Sequence, residues 1–321
     1  MIGKLPPELL ERVVSRTGAD DDRVLQGPGY GEDTAAIELG DETLVVNADP
    51  ISMAVERIGT LGVNVACNDV AASGGTSEWL TSVVFLPNAS ADVLDRITRQ
   101  LDAAANGLGV SIVGGHTEYA PALSDPMLAL TCLGLADRYV PTSGARPGEK
   151  ILLTKGAGIE GTAILATDFR SEIEASVSSA LIARGEACYD DVSVVPEAAV
   201  LTEYASAMHD PTEGGVVNGL LEMAVASGVT LEVDPERIPT RPETDAICRA
   251  MGVDPLRVFG SGALLATVPE ASVETVTDGL DAEGIEHATI GTVREAESPT
   301  LRFGSDLLTE AIRDEMCALW G

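Results

Sequence analysis

Ten polar residues stand in the predicted loops, at strand ends, or beside the small residues of one helix, where a ligand could reach them. They are Asp33, Asp49, Asn68, Asp69, His116, Glu118, His209, Asp210, Thr212 and Glu213. Most are acidic, and several adjoin glycine pairs, Gly114–Gly115 and Gly214–Gly215. Carboxylates beside glycine-rich turns, without a lysine-rich pocket, suit phosphates held through hard cations, because magnesium takes oxygen ligands and bridges carboxylate to phosphate. The overall charge points the same way. With 51 acidic residues against 20 basic ones, the formal charge is -31, so a polyanionic ligand needs divalent metal to offset the repulsion. Acidic residues are so abundant that any single member of the set is as readily a solvated surface carboxylate.

The stretch Ile58–Gly75, IGTLGVNVACNDVAASGG, holds the densest of these signals. Val55, Ile58, Leu61 and Val65 follow helical spacing and predict a helix from Val55 to about Ala72, with Asn64 and Asn68 four apart and Asp69 adjacent. Asparagine and aspartate each cost up to roughly 0.7 kcal/mol against alanine inside a helix, so something other than local stability favours them. The small residues around them let a second backbone or a ligand approach closely.

The elements that must position these residues alternate. A short amphipathic helix opens the chain, and Gly27-Pro-Gly-Tyr-Gly31 reads as a turn or a close ligand approach. A strand over Thr43–Ala48 places Asp49 at its carboxyl end. Strand Trp79–Leu86, helix Ser90–Leu108 and strand Val110–Val113 form a β-α-β unit that ends in the loop Gly114-Gly-His-Thr-Glu118, and strand Met127–Leu135 follows. The Pro- and Gly-rich stretch Ala136–Lys150 is the candidate linker, dividing the chain into domains over 1–140 and 146–321.

The second half begins with strand Ile151–Thr154. Gly156, Gly158 and Gly161 then match G-x-G-x-x-G, but no acidic-ended strand follows about twenty positions later, so a dinucleotide fold is excluded while a phosphate at the helix amino terminus is not. A helix around Pro196–Met208 leads into His209-Asp-Pro-Thr-Glu-Gly-Gly215, which opens helix Val216–Ser227. Strands Val229–Val233, Ala263–Val268 and His287–Val293, helices Glu243–Met251 and Ser272–Asp281, and a terminal amphipathic helix Asp306–Leu319 complete an α/β chain.

At 321 residues and 45% hydrophobic content the chain fills an ordinary globular core, and 3% aromatics leave no stacking platform for single-stranded nucleic acid. The charge repels nucleic acid and anionic membranes and suits a salty, halophilic cytoplasm, where screening removes self-repulsion. Five scattered cysteines, at 67, 132, 188, 248 and 317, without a Cys-x-x-Cys pair, fit a reducing cytoplasm. The amino terminus carries no signal-peptide pattern, and the longest apolar run, Met127–Ala136, is too short to span a bilayer.

In combination, these motifs resemble the aminoimidazole ribonucleotide synthetase-related ATP-binding superfamily, and within it the hydrogenase-maturation carbamoyl dehydratases. Glu32-Asp-Thr-Ala-Ala-Ile37 is similar to the family's Asp-Asp-Ala-Ala-Val-Ile, and Asn47-Ala-Asp49 to its Thr-Thr-Asp. Val65–Gly75 resembles its Asn-Asp helix, and Gly114–Glu118 its Gly-Asp-Thr loop. His209–Gly215 resembles its His-Asp-x-Thr-x-Gly-Gly, and Met251–Leu256 its Leu-Gly-Leu-Asp-Pro-Leu. The resemblance implies two α/β domains, amino-terminal domains that pair in a homodimer to form a shared barrel, and ATP with Mg2+ in a cleft between the halves. Asp33, Asp49, Asp69 and Asp210 would then be metal or phosphate ligands. Asn68, Gly114, Gly115, His116, His209, Thr212, Gly214 and Gly215 would shape the nucleotide site, and a small-molecule substrate would be activated by phosphorylation at oxygen. Two features depart from the family. His116 stands where an aspartate is usual, with Glu118 nearby as a substitute, and Cys317 lies inside a predicted helix rather than in a reactive cysteine tail, which favours a packed, inert thiol. A small-molecule kinase similar to thiamine-monophosphate kinase and a non-catalytic nucleotide-binding assembly protein are the competing readings.

Overall fold

The computed structural model describes residues 3–320. Helix α1 (Pro7–Val14) and strand β1 (Val24–Gln26) lead into a hairpin of β2 (Ala35–Leu39) and β3 (Glu42–Ile51). Then follow α2 (Ile58–Ala72), β4 (Thr76–Leu86), α3 (Ala91–Leu108), β5 (Ser111–Tyr119) and β6 (Met127–Ala136). The six strands form one sheet in the order β1-β2-β3-β6-β4-β5, in which β4 and β5 run parallel across α3, as the β-α-β reading requires. Ser90 caps α3 by accepting the Val93 N–H, and Gly109 closes it in the left-handed region.

The second half comprises β7 (Lys150–Thr154), α4 (Ile159–Asp168), α5 (Arg170–Ile173), α6 (Ser179–Ala187), α7 (Val195–Leu201), β8 (Ala207–His209) and α8 (Gly215–Ser227). It continues through β9 (Thr230–Val233), α9 (Pro242–Met251), β10 (Leu265–Val268), α10 (Val273–Ala282), β11 (His287–Arg294), β12 (Thr300–Phe303) and β13 (Asp306–Leu308). Its seven strands form a second sheet, β13-β12-β9-β11-β7-β10-β8. The architecture is thus mixed α/β with two sheets, and no described helix is long and apolar enough to cross a membrane.

Helix α2 is the hub. Strand β6 alternates half-buried and buried along its length, and its buried residues, Leu128 and Leu130 among them, join Leu61 and Val65 of α2 in one core. Burying each of these side chains is worth roughly 1.5–3 kcal/mol. The same cluster continues through Ile159, Val258 and Met316, so α2 packs on its own sheet and on the second half at once. Two glycines make this possible. A Cβ at Gly59 would lie 2.7 Å from the Ile97 carbonyl of α3, and one at Gly62 would lie 2.8 Å from Leu130 Cδ1.

Four sequence expectations need correction. Strand β5 does not stop at Val113 but runs through Gly114-Gly-His-Thr-Glu118 to Tyr119, because those residues keep parallel register with β4 up to Leu86. Strand β3 continues past Asp49 and Pro50 to Ile51, which pairs with Leu128. The helix expected over Pro196–Met208 ends at Leu201, and Ala207–His209 becomes a strand paired with β10. The terminal helix Asp306–Leu319 is absent. Gly304, at φ +59, turns the chain so that Asp306–Leu308 folds back on β12, and a short 3-10 segment, Glu315–Trp320, follows. The apolar residues that imitate helical spacing divide between two cores: Leu308 and Ile312 pack on the second-half cluster, while Met316 joins the cluster around α2.

Candidate active site

Leu61, Val65 and Asp69 recur every four residues on α2 and form a stripe roughly 12 Å long at 1.5 Å per residue. All three line a cleft of about 340 Å³ between the two halves. Ile51, Met53 and Phe259 extend its apolar wall, while Asp33, Asp49, Glu160 and Glu213 add carboxylates. The cleft therefore grades along one helix face from apolar to acidic.

Asp69 is 2% exposed, and Asn47 on the adjoining strand fixes it. Asn47 Nδ2 donates to Asp69 Oδ2 at 2.8 Å and to Asp49 Oδ2 at 3.3 Å, while its Oδ1 accepts the Cys132 N–H at 3.0 Å. Burial first, and then the negative charge of Asp49, Asp33 and Asp210, push the Asp69 carboxyl well above the usual range. Asp210 follows β8 directly. It is fully buried, neither oxygen has a hydrogen-bond partner, and burial followed by repulsion from Glu160 raises it to about 8. An ionised carboxylate left so costs several kcal/mol without a counter-charge.

His209 does not face the cleft as a nucleotide-shaping residue. Its ring is 1% exposed and lies between two carboxylates, with Nδ1 3.0 Å from Asp33 and Nε2 3.1 Å from Glu222. Burial opposes its charge, but Asp33 and Glu222 outweigh that and raise it to about 10. Glu222 is correspondingly lowered to about 2 against its burial, by Lys4 and His209. Lys4 Nζ completes the chain at 3.1 Å from Glu222. Alternating charge thus runs from Lys4 through Glu222 and His209 to Asp33, and His209 meets the cleft lining at Asp33.

Asn68 also has another role. It is fully buried, its Nδ2 donates to the Val192 carbonyl and its Oδ1 accepts the Val194 N–H, both at 2.8 Å. Its amide fastens α2 to the segment before α7, and the residue is not among those lining the cleft. Thr212 and Glu213 do line the cleft, whereas Gly214 and Gly215 lie behind it. The Gly214 N–H is taken by Asp314 Oδ2 at 2.8 Å, and a Cβ at Gly215 would lie 2.6 Å from the Leu256 and Val258 carbonyls. These glycines permit the turn into α8 and its close packing.

Gly114, Gly115, His116 and Glu118 are not brought to the cleft within one chain. They lie on β5, which is exposed from end to end, where His116 Nε2 meets Glu118 Oε2 at 3.3 Å. The glycine loop before α4 offers no phosphate cradle either. The N–H groups of Ala157, Glu160 and Gly161 donate to the carbonyls of Pro239, Ser261 and Phe259. Cys317 is fully buried, and burial pushes its thiol up, as expected of an inert cysteine.

Several functional candidates escaped sequence reasoning. Glu160 is 6% exposed, accepts the Ser261 N–H at 3.2 Å and is raised to about 7, chiefly by burial. Ser261 lies in the cleft wall with its buried hydroxyl unpartnered. The visible signals were the glutamate inside Gly-Ile-Glu-Gly and the serine inside Phe-Gly-Ser-Gly. Asn47 lay in a quoted motif, but nothing local marked it as the group holding two carboxylates.

Among the described residues no three acidic, histidine or cysteine side chains converge closely enough to hold a metal unaided. The acidic end still fits magnesium, which is held by one or two carboxylates together with phosphate oxygens and water. The orphaned Asp210 oxygens and the crowding of Asp49 against Asp69 are the observations that call for a cation.

Comparison with known proteins agrees with the two-domain α/β fold. The AIR synthase related protein family matches twice, through its N-terminal domain at residues 31–136 and its C-terminal domain at residues 146–304. The hydrogenase expression/formation protein HupE of Azotobacter chroococcum mcd 1 is 31% identical over 305 residues, covering 91% of this chain and 84% of the relative. The carbamoyl dehydratase HypE of Cupriavidus necator is 31% identical over 258 residues, covering 77% and 71% respectively. A solved structure of the hydrogenase maturation protein HypE in complex with ATP superposes with a TM-score of 0.71 at 25% identity, covering 96% of each chain. The chain belongs to the AIR synthase related protein family, close to its hydrogenase-maturation members.

Proposed function

We propose that the protein is an ATP- and magnesium-dependent enzyme that activates an oxygen of a small substrate by phosphorylation. The observation that carries this reading is the cleft between the halves, whose acidic end gathers Asp33, Asp49 and Asp69, with the orphaned Asp210 buried close enough for its charge to act on Asp69, while its other end is apolar. The relatives support it: one curated relative is a carbamoyl dehydratase, and a solved relative binds ATP. Asp49 and Asp69 would hold magnesium, with Asp33 and Asp210 completing the acidic wall. A cation held there would offset the negative charge of the phosphates during transfer. The chain's own residues do the rest. Asn47 fixes the spacing of the two carboxylates, the His209 ring holds Asp33 in place, and Ile51, Met53, Leu61, Val65 and Phe259 exclude water from one side of the cleft.

The working unit under this reading is a homodimer in a reducing, salty cytoplasm. Its support is the exposed β5 edge, with Ile112, Val113 and Tyr119 at 41%, 59% and 65% exposure, together with five buried free thiols and the charge of -31. An unpaired apolar edge strand is a ready template for pairing with a second chain.

Calorimetric titration with Mg-AMPPCP tests the site. Binding by the native chain and at least tenfold weaker binding by Asp69→Asn is the expected result; equal affinity in the two would place the nucleotide elsewhere. Phosphorus NMR of turnover mixtures then separates the reaction classes, since a stable phosphoester marks a kinase and free phosphate with a dehydrated or ligated product marks oxygen activation.

A further inference from the structure

The cleft holds one cation among the described residues that line it, and that cation comes from the far end of the chain. Lys4 borders the cleft together with Asp33, Asp49, Asp69, Glu160 and Glu213. Lysine occurs at only three positions, 4, 150 and 155, in a chain that otherwise uses arginine. The segment carrying Lys4 is seated on the second half: the Lys4 backbone N–H donates to Glu213 Oε1 at 2.6 Å. Gly3 has a φ of +108, a conformation that strains any residue with a Cβ, and lies against the same Glu213 carboxylate.

The Lys4 side chain is 44% exposed, and it is one of three partners of the buried Glu222 carboxylate. Glu222 keeps Asn218 Nδ2 on one oxygen at 3.1 Å and His209 Nε2 on the other at 3.1 Å. Lys4 can therefore leave Glu222 without stranding a buried charge, while its backbone stays anchored on Glu213. A compact ammonium with three donors on a four-carbon stem suits the terminal phosphate of a polyphosphate better than a planar guanidinium, which favours bidentate partners.

We propose that Lys4 is a phosphate-binding residue of the cleft, delivered across the acidic wall by the amino-terminal segment, and that it selects nucleoside triphosphate over diphosphate. This rests on the nucleotide reading above. On triphosphate binding, the ammonium exchanges Glu222 for terminal phosphate oxygens. A cleft otherwise dominated by carboxylates then offers a direct positive contact at the phosphate most distant from the nucleoside.

The test measures the affinities of Mg-AMPPCP and Mg-ADP for the full chain and for Lys4→Met and Lys4→Arg. Lys4→Met should lose about 10- to 100-fold for AMPPCP and less than about threefold for ADP, with Lys4→Arg recovering most of the loss. Urea midpoints of the variants, expected close to the native value, show that the fold persists. Equal weakening toward both nucleotides, or no change toward either, would show that Lys4 only packs and would overturn this proposal while leaving the nucleotide site standing. A native chain that binds neither nucleotide overturns both readings.

Discussion

Replacing Asn68 by alanine separates a clasp between the halves from a nucleotide ligand. The substitution removes two hydrogen bonds of 2.8 Å and leaves the Val192 carbonyl and the Val194 N–H unpaired in a region where both residues are 0% exposed. Each buried, unsatisfied backbone group costs roughly 1–3 kcal/mol, so the loss should total about 2–6 kcal/mol. With a urea slope of about 3 kcal/mol/M, the midpoint moves down by about 0.7–2 M. Asn64→Ala is the matched control. Its Nδ2 donates only to Thr60 O within the same helix, at 2.9 Å. Losing that bond costs about 1 kcal/mol, and alanine's helix propensity returns up to roughly 0.7 kcal/mol. Paired urea melts, alongside Mg-AMPPCP titrations of folded protein, make the comparison. If Asn68→Ala melts with Asn64→Ala while nucleotide affinity collapses, the clasp assignment is wrong and the amide serves the ligand.

The buried acids set a pH dependence with a definite sign. Asp210 at about 8, Glu160 at about 7 and Asp314 at about 7 hold protons in the folded chain that the unfolded chain has released above the ordinary carboxylate range. Stability should therefore fall as pH rises from about 5 to 8, and His209, raised to about 10, continues the fall above its ordinary 6.5. Glu222 acts only at the acid end, where its stabilising contribution is lost as pH falls from the ordinary range toward 2. The melting temperature of metal-free protein should drop from pH 6 to 9, magnesium should flatten the slope, and molar salt should raise the whole curve; a rising or flat metal-free profile contradicts the crowded-acid description. At the sheet edge, Val113→Arg introduces repelling charges across any β5-to-β5 pairing and should shift sedimentation from dimer to monomer with the melting temperature changed by only a few degrees. An unaltered dimer would place the contact elsewhere.

What could be read from the sequence was what depends on near neighbours. Helix α2 and its small-residue surface followed from spacing, as did the β-α-β unit and the Ser90 cap, whereas Asp69 stood out only as a weak helix former and took its ligand role from the family resemblance. What could not be read depends on partners distant in the chain. The two hydrogen bonds of Asn68 reach 124 and 126 residues away, and Lys4 meets Glu222 across 218. The glycines of Gly114–Glu118 suggest a loop by local rule, yet register with β4 draws them into a strand. Likewise, Leu308, Ile312 and Met316 sit at helical intervals although they serve two different cores, a division that a periodicity cannot express.

The adjacency of Asn68 and Asp69 then has a geometric explanation. Successive residues on an α-helix project about 100° apart, so the two side chains point in different directions. Asp69 continues the Leu61–Val65 stripe into the cleft, while Asn68 points to the segment at Val192–Val194. Each residue is a weak helix former, and each is kept by a partner outside the helix: Asn47 for the carboxylate, and the second half's backbone for the amide. Because one rigid turn of α2 carries both, the carboxylate proposed to hold a cation is kept in fixed relation to the junction between the halves. Loosening Asn68 should therefore displace Asp69 relative to Thr212 and Glu160 on the opposite wall, weakening ligand binding only in proportion to the lost clasp and without changing which phosphate the cleft prefers.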